Sequence, residues 1–318
     1  SKITNLVLTS KSKIKNIKLL LDKKIIKKVL KHDDEIEFVD QVLNINANIK
    51  NLSDLKSGEI SISGAGKILV DGIGDDINYI YNKDKNNQRI KILAKLNNNE
   101  FYLEELDFKK KRKKKSTLEM DFKINKDKSI KFNKIILKNN ENSFDVSNLS
   151  FSKNFKINSF KKISFNYKNT KDKVNNISII KNNNSYIISG ESLDGSQIID
   201  NINNNKKNKN QFFDIDTTIK VKLKKFYIDN ENYLININGN LKVKKNKIFE
   251  LNIKSLFLNG EELIFAINTN SQNEQITNMY TKYPKPLLKR YKFIKGFEGG
   301  VFDFQSIKKD DIFSSVLI

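Results

Sequence analysis

Apolar and polar residues alternate with a period of two along most of this chain. Ile219, Val221 and Leu223 alternate with lysines, and the apolar positions around residue 45 alternate with asparagines. Such alternation places the apolar side chains on one face of a β-strand and the polar ones on the other. Since an antiparallel sheet with one wet face produces this pattern, we predict a mainly β protein built as a long antiparallel meander.

Clusters of asparagine and glycine separate these runs, for example at 97–99, 182–184 and 238–240. Both residues tolerate positive φ and form tight hairpin turns. Predicted helices are too few to cover the apolar face of so many strands. The face therefore closes in a β-sandwich or a barrel, or the sheet curls into an elongated, U-shaped gutter whose apolar lining is left for a ligand. Alternation alone does not separate the sandwich from the gutter.

Two segments predict helices among the strands. Lys15–His32 carries apolar pairs at spacings of four to five residues with lysines between them, which indicates an amphipathic helix. Gln272–Lys295 also reads as helical, but Pro284 and Pro286 interrupt it. Because proline breaks a helix interior, we expect two short helices with a bend there.

A third, short helix is predicted at Leu193–Ile202, with Asp194 or Ser196 as its N-cap. It leads into a loop rich in asparagine and lysine, which we take as the domain boundary. The sequence thus predicts an N-terminal β-rich portion at 1–205 and a second β portion at 206–318.

The chain is strongly basic, with 59 lysines and arginines against 37 acidic residues and a formal charge of +22. Such a surplus suggests nucleic acid or an anionic membrane surface as a partner. Lysine and asparagine are abundant throughout, however, as an AT-rich genome would give. Neither a recognition helix nor stacking aromatics on a sheet accompany the run Lys109–Lys115, which argues against nucleic acid. That run fits a solvated loop or a surface for anionic lipid headgroups.

The composition excludes several classes of chemistry. Without cysteine there are no disulfides or thiolate metal sites, and a single histidine, His32, rules out multi-histidine metal sites. The acidic pairs Asp75–Asp76 and Asp310–Asp311 would point to opposite faces if they lie on strands. We therefore predict no catalytic residue, no metal, no cofactor and no enzymatic activity.

The sequence contains no apolar run long enough to span a membrane as a helix, and no signal peptide is visible. It begins at Ser1 and ends in apolar residues. We therefore expect this chain to be an excerpt of a longer protein, truncated within its second β portion.

A motif near the C-terminus carries a family resemblance. The segment 287–304 reads LLKRYKFIKGFEGGVFDF, a basic and aromatic helix end followed by a glycine and a Gly-Gly entry into a strand. It resembles the AsmA-like family of bacterial envelope proteins. The residues of this turn motif are Arg290, Tyr291, Gly296, Gly299 and Gly300.

The resemblance extends more weakly to Gly190–Ile202, a strand ending before "LD" and a short helix, and to the meander between the two motifs. Over residues 1–185 the chain is similar in character only. Thr269–Gln275 departs from the family, being rich in Asn and Gln where a turn rich in Asp and Gly is usual.

The resemblance implies a fold and a role. The family forms long, curled β-sheets with an apolar groove and belongs to the bridge-like lipid transfer proteins. Members are anchored in the inner membrane by a helix, here outside the given sequence, and their periplasmic β body is implicated in phospholipid movement to the outer membrane and in its biogenesis. The implied partners are phospholipid, the inner membrane and other envelope proteins.

In a groove of this kind, the alternating apolar residues of the second portion would hold the acyl chains. An alternative function is a structural or interaction module, a closed β-sandwich in an envelope scaffold. The candidate groove residues are Ile219, Val221, Leu223, Leu241, Val243, Leu251, Ile253, Leu263, Phe265 and Ile267.

Overall fold

The structure is a computed structural model, and its backbone divides into two compact units, Ser1–Lys161 and Lys162–Ile318. We call them unit 1 and unit 2 and describe each by itself. The predicted boundary at 205/206 lies outside the described part of the chain and stays a prediction. The described residues are 6–18, 36–49, 58–103, 106–154, 156–197, 216–244, 247–291, 299–309 and 312–317.

Unit 1 is a meander in which successive long strands pair antiparallel, except that the small hairpin β6–β7 is inserted between β5 and β8. Among the described residues, β1 pairs only with β2, so the sheet is open. The strands are β1 Leu6–Lys18, β2 Ile36–Ile49, β3 Glu59–Val70, β4 Ile73–Lys83, β5 Asn87–Lys95, β6 Phe101–Leu103, β7 Phe108–Lys110, β8 Thr117–Asn125, β9 Ile130–Asn139, β10 Asn142–Phe151 and β11 Ile157–Ser159.

The strand register of unit 1 gathers the apolar residues on one face. Residues directly opposite each other on paired strands point to the same side, so the pairing aligns side chains into rows that cross the strands. One such row, the central row of unit 1, takes one residue from each successive long strand. It consists of Ser10, Ile45, Ile62, Tyr81, Ile90, Phe122, Phe132 and Leu149.

The hairpin β6–β7 covers one end of this apolar face. Phe108 is 2% exposed, and its ring lies 4.8 Å from that of Phe144, centroid to centroid. Phe144 ends a row in which Ile77, Ala94 and Leu137 are also buried. The residues of this end row are therefore densely packed beneath the hairpin.

Unit 2 repeats this architecture with one helix. Its elements are β12 Lys162–Lys168, β13 Val174–Asn182, β14 Ser185–Asp194, β15 Thr217–Tyr227, β16 Tyr233–Lys244, β17 Lys247–Leu256, β18 Glu262–Thr269, β19 Gln275–Thr281, α1 Lys285–Tyr291, β20 Phe302–Lys309 and β21 Ile312–Leu317.

All described strand pairs of unit 2 are antiparallel except β14 with β15, which run parallel. Parallel neighbours need a crossover of a dozen or more residues, and the segment 195–216 provides it. The predicted fold class, a mainly β chain in a long antiparallel meander with few helices, is confirmed, with this one parallel step as an exception.

Helix α1 covers one end of the apolar face of unit 2. Leu287 packs in a buried cluster with Leu223, Ile237 and Leu263, and the ring of Phe257 completes that cluster. The two prolines start the helix instead of breaking it. Proline is tolerated in the first turn, where its missing N–H has no helical partner, and the N–H of Leu287 donates to the carbonyl of Pro284 at 2.9 Å.

The helix predicted over Gln272–Lys295 is therefore wrong in its first part. Gln275–Thr281 is strand β19, hydrogen-bonded to β18 on one side and β20 on the other. The side chains of β19 on the apolar face are Gln275, Thr277 and Met279, so this strand shows no regular alternation of apolar and polar residues. Its conformation is decided by hydrogen bonding to a strand on each side.

The other two predicted helices are described only in part. Residues 15–18 of the predicted helix Lys15–His32 belong to β1, so that start is wrong, and residues 19–32 lie outside the description. Leu193 and Asp194 end β14, and a helical turn begins at Ser196, whose N–H donates to the Asp194 carboxylate at 3.0 Å. The remainder, 198–202, is not described.

Candidate functional site

The ten candidate groove residues lie on one face of β15 to β18. The register pairs Ile219 with Leu241, Leu241 with Leu251, and Leu251 with Ile267. A second line of pairs links Val221 to Phe265, and Val243 and Leu263 extend the same face at its two ends. The residues selected by their alternation in the sequence are thus neighbours on one face of the sheet.

The second of these lines is the longest continuous apolar strip of unit 2. We call it the central row of unit 2, and it crosses nine strands, β12 to β20, with no charged member. Its residues are Ile163, Ile179, Ile188, Val221, Gly239, Ile253, Phe265, Met279 and Phe304.

The candidate residues differ in how completely protein covers them. Leu223 and Leu263 are buried under α1, and Leu251 and Ile267 are buried within the sheet face. The others keep part of their surface exposed, although they sit at the centre of a broad sheet. A facing layer would bury all of them, as α1 buries Leu263. The partly exposed candidates are Ile219, Val221, Leu241, Val243, Ile253 and Phe265.

Gly239 interrupts the central row of unit 2 for a steric reason. A Cβ at this position would lie 2.3 Å from the carbonyl oxygen of Asn252 and 2.9 Å from Cγ1 of Ile253. The strands approach too closely for any larger residue. The row therefore has a shallow notch between Val221 and Ile253.

Unit 1 presents a second apolar face. The candidate groove residues predicted from the sequence include none of this face, although the same alternation of apolar and polar residues marks its strands. Tyr79 and Tyr81 point to this face from β4, opposite Ile92 and Ile90 of β5, and all four are partly exposed. Burial raises the pKa of the Tyr79 and Tyr81 hydroxyls, so both stay neutral at physiological pH.

The opposite, polar face of unit 1 contains a groove of about 900 Å³ that extends from β2 to β9. Its two acidic side chains, Asp121 and Glu119, are each paired with a basic residue. Arg89 donates to both carboxylate oxygens of Asp121, at 3.0 and 2.6 Å, and this pair holds the pKa of Asp121 below its usual value. Lys134 donates to both oxygens of Glu119 at 2.9 Å. Because both carboxylates are paired, the groove offers no unpaired acidic group among its described lining residues.

The turn motif of the family resemblance is described only in part. Arg290 and Tyr291 end α1, but their side chains and Gly296 lie outside the description. Gly299 and Gly300 precede β20, and Gly300 has a φ of 108°, where glycine is strongly favoured. The predicted sharp turn into a strand at the glycine pair fits this geometry.

The acidic groups singled out in the sequence are described only in part. Among the described residues there is no group of three acidic or histidine side chains placed to hold a metal ion. Asp75 is buried and accepts backbone N–H bonds from Asn97, Asn98 and Asn99, while Asp76 is exposed. Asp75 therefore fixes a loop. His32 and the pair Asp310–Asp311 lie outside the description.

Across the helices that the structure describes, none is both long and apolar enough to cross a membrane. Comparisons with protein-family models, characterised proteins and solved structures give no match to this chain. The site must therefore be interpreted from its own geometry.

Proposed function

We propose that this chain is a non-enzymatic phospholipid carrier, which holds acyl chains along the open apolar faces of its sheets and passes them across the strands. One observation carries the proposal: the central row of unit 2 is apolar over nine strands, and its members Val221, Ile253 and Phe265 keep part of their surface uncovered.

The length of the row suits an acyl chain. Nine strands spaced about 4.8 Å apart extend over roughly 40 Å. One leaflet of a bilayer core is about 15 Å thick, so a single chain would cover only part of the row. A chain can then shift along the row by one strand and meet similar side chains.

The estimated free energies allow the apolar face to bind an acyl chain and still release it to a bilayer. Burial in protein gains about 0.8 kcal/mol for each methylene group, and contact from one side would realise around half of that, or roughly 5 kcal/mol for a long chain. This gain keeps a lipid out of water. Relative to a bilayer it is close to zero or unfavourable, so the lipid can leave again.

From the resemblance to AsmA-like proteins we propose that the full protein acts in the bacterial envelope. Its β body would lie in the periplasm, anchored to the inner membrane by a segment outside this chain, and would carry phospholipid toward the outer membrane. Envelope proteins at either membrane are the partners that this arrangement requires.

The test is the lipid content of the purified protein. We expect phospholipid to copurify after detergent-free extraction, detected by native mass spectrometry. Phe265→Lys places a charge in the central row of unit 2 and should lower the lipid content several-fold. Ala266→Lys is the matched control, because the neighbouring residue points to the polar face opposite Asn252 and Asn278.

Two outcomes would count against the proposal. Wild-type protein that carries no lipid and takes up none from vesicles would refute it. Equal loss in both variants, with both folded by circular dichroism, would show that the apolar face is not where the lipid lies.

A further inference from the structure

The basic run of unit 1 divides into one buried lysine and a group of exposed cations. Lys110 is fully buried, whereas Lys111–Lys115, here called the basic tip, are all exposed. No ion pair between described residues involves the basic tip, while lysines elsewhere, such as Lys134, are paired with carboxylates. Five consecutive cations are therefore exposed to solvent, and no described carboxylate pairs with them.

The basic tip is held in place at both ends. The ammonium group of Lys110 donates to the carbonyl oxygens of Asn97, at 3.1 Å, and Asn99. On the other side, the backbone N–H of Ser116 donates to Oδ1 of Asn97 at 3.3 Å. The loop that receives these bonds is itself fixed by the carboxylate of Asp75, so the tip is not a free tail.

The position of the basic tip relates it to the apolar face. Phe108, whose ring packs on Phe144 at the covered end of that face, lies on the same strand as Lys110. Across the hairpin, Tyr102 pairs with Lys109 and is 49% exposed. Apolar side chains, an exposed aromatic ring and a cluster of cations thus follow one another within one hairpin.

This combination matches the chemistry of an anionic bilayer surface. Lysine and arginine clusters are attracted to the negative headgroups of such a membrane, and tyrosine is enriched at its interface. We propose that the basic tip binds the surface of an anionic phospholipid bilayer. The proposal rests on the proposed lipid carriage in one respect, because contact here would bring the apolar face of unit 1 to a source or acceptor of lipid.

The experiment compares two variants with the same change of charge. One is Lys111→Gln/Arg112→Gln/Lys114→Gln in the basic tip. The other is Lys220→Gln/Lys222→Gln/Lys254→Gln, which removes three exposed lysines from the polar face of unit 2. Binding is measured by cosedimentation with phosphatidylcholine vesicles, with and without phosphatidylglycerol, over a series of salt concentrations.

Each lysine or arginine near an anionic surface contributes about fivefold to binding, so the tip variant, which lacks three of these cations, should bind roughly 100-fold more weakly. The control variant should bind within about threefold of the wild type, since its lysines belong to a sheet face and not to the basic tip. Equal losses would overturn the proposal, because they would show that net charge alone governs binding, and so would unchanged binding of the tip variant.

Two further measurements distinguish membrane binding by the basic tip from nucleic-acid binding and from lipid carriage. If the tip variant loses affinity for duplex DNA but keeps its affinity for vesicles, the partner is a nucleic acid and the membrane proposal fails. Copurifying phospholipid, measured in the same preparations, tests the carrier proposal alone. We expect it to persist in the tip variant.

Discussion

Two leucines on the same face of unit 2 allow a direct test of whether that face is open. Leu263 is 6% exposed and packs against Leu223 and Leu287 beneath α1. Leu241 lies on the same face of β16 between Ile219 and Leu251, and part of its surface remains uncovered. We consider the change to alanine at each position, in lipid-free protein.

The structure predicts unequal losses of stability. Leu263→Ala would leave a cavity in a packed cluster, and such changes lower the free energy of unfolding by about 2–5 kcal/mol. At Leu241 the removed carbons are covered by lateral neighbours only, and no cavity is enclosed. Partial burial of about three methylene equivalents predicts a loss of about 1 kcal/mol.

Urea unfolding followed by circular dichroism measures both losses, and both variants report on the transition of unit 2. Added lipid should stabilise the wild type and should stabilise Leu241→Ala less. If Leu241→Ala loses as much stability as Leu263→Ala without lipid, a protein layer covers the face and the idea of an open apolar face is wrong.

Three further substitutions test the packing of unit 1. The guanidinium of Arg89 lowers the pKa of Asp121, so the stabilisation by this pair exists above the unfolded-state pKa of about 3.9 and disappears as the pH falls through the lower folded-state value. Asp121→Asn should therefore lower the free energy of unfolding by up to about 1 kcal/mol near neutral pH and have little effect in acid. Urea unfolding at both pH values measures the two losses, and equal losses would contradict this prediction. A Cβ on Gly64 would lie 2.2 Å from Cζ of Tyr79, so Gly64→Ala should destabilise the wild type but not a Tyr79→Ala background, and additive losses of unfolding free energy would argue against this contact. Lys110→Met removes the donor to the carbonyls of Asn97 and Asn99 and should weaken the hairpin β6–β7 by about 1–3 kcal/mol, seen as faster amide hydrogen exchange at 97–116. Unchanged exchange would rule out the anchoring role.

Local alternation was sufficient to predict the strands in which it is regular, together with the face on which each side chain lies. Residues two apart point to the same side of a strand whatever its neighbours are, so Ile219, Val221 and Leu223 could be placed on one face before any partner was known. Some hairpin connections also followed locally, but the turn predicted at 238–240 is wrong, because these residues lie within β16 and pair with both β15 and β17. Asn140 and Asn183 have φ values of 47° and 50°, in the region that the predicted Asn-rich turns require.

Features decided by distant partners could not be predicted. Lys110 sits in a run of identical charges, and only the carbonyls of Asn97 and Asn99, more than ten residues away, distinguish it from Lys111. The strand Gln275–Thr281 depends on two neighbouring strands, and the parallel pairing of β14 with β15 depends on where the crossover returns the chain. For the same reason the sequence did not reveal which end of each apolar face is covered.

The covered ends bear on how a lipid would move. Large uncovered apolar surface in water favours association or an occupant, and on the proposed function the occupant of the middle of each face is a lipid. In unit 2, α1 covers one end of the strands, and an acyl chain lying along β15 or β16 would run into the cluster of Leu223, Ile237 and Leu287. A chain lying across the strands meets no such obstacle in the central row of unit 2, where each step of about 4.8 Å exchanges one aliphatic or aromatic neighbour for another. The low barrier to movement is therefore perpendicular to the strands, and Phe265→Lys should hinder passage along the row even when it leaves enough apolar surface to hold a lipid on one side.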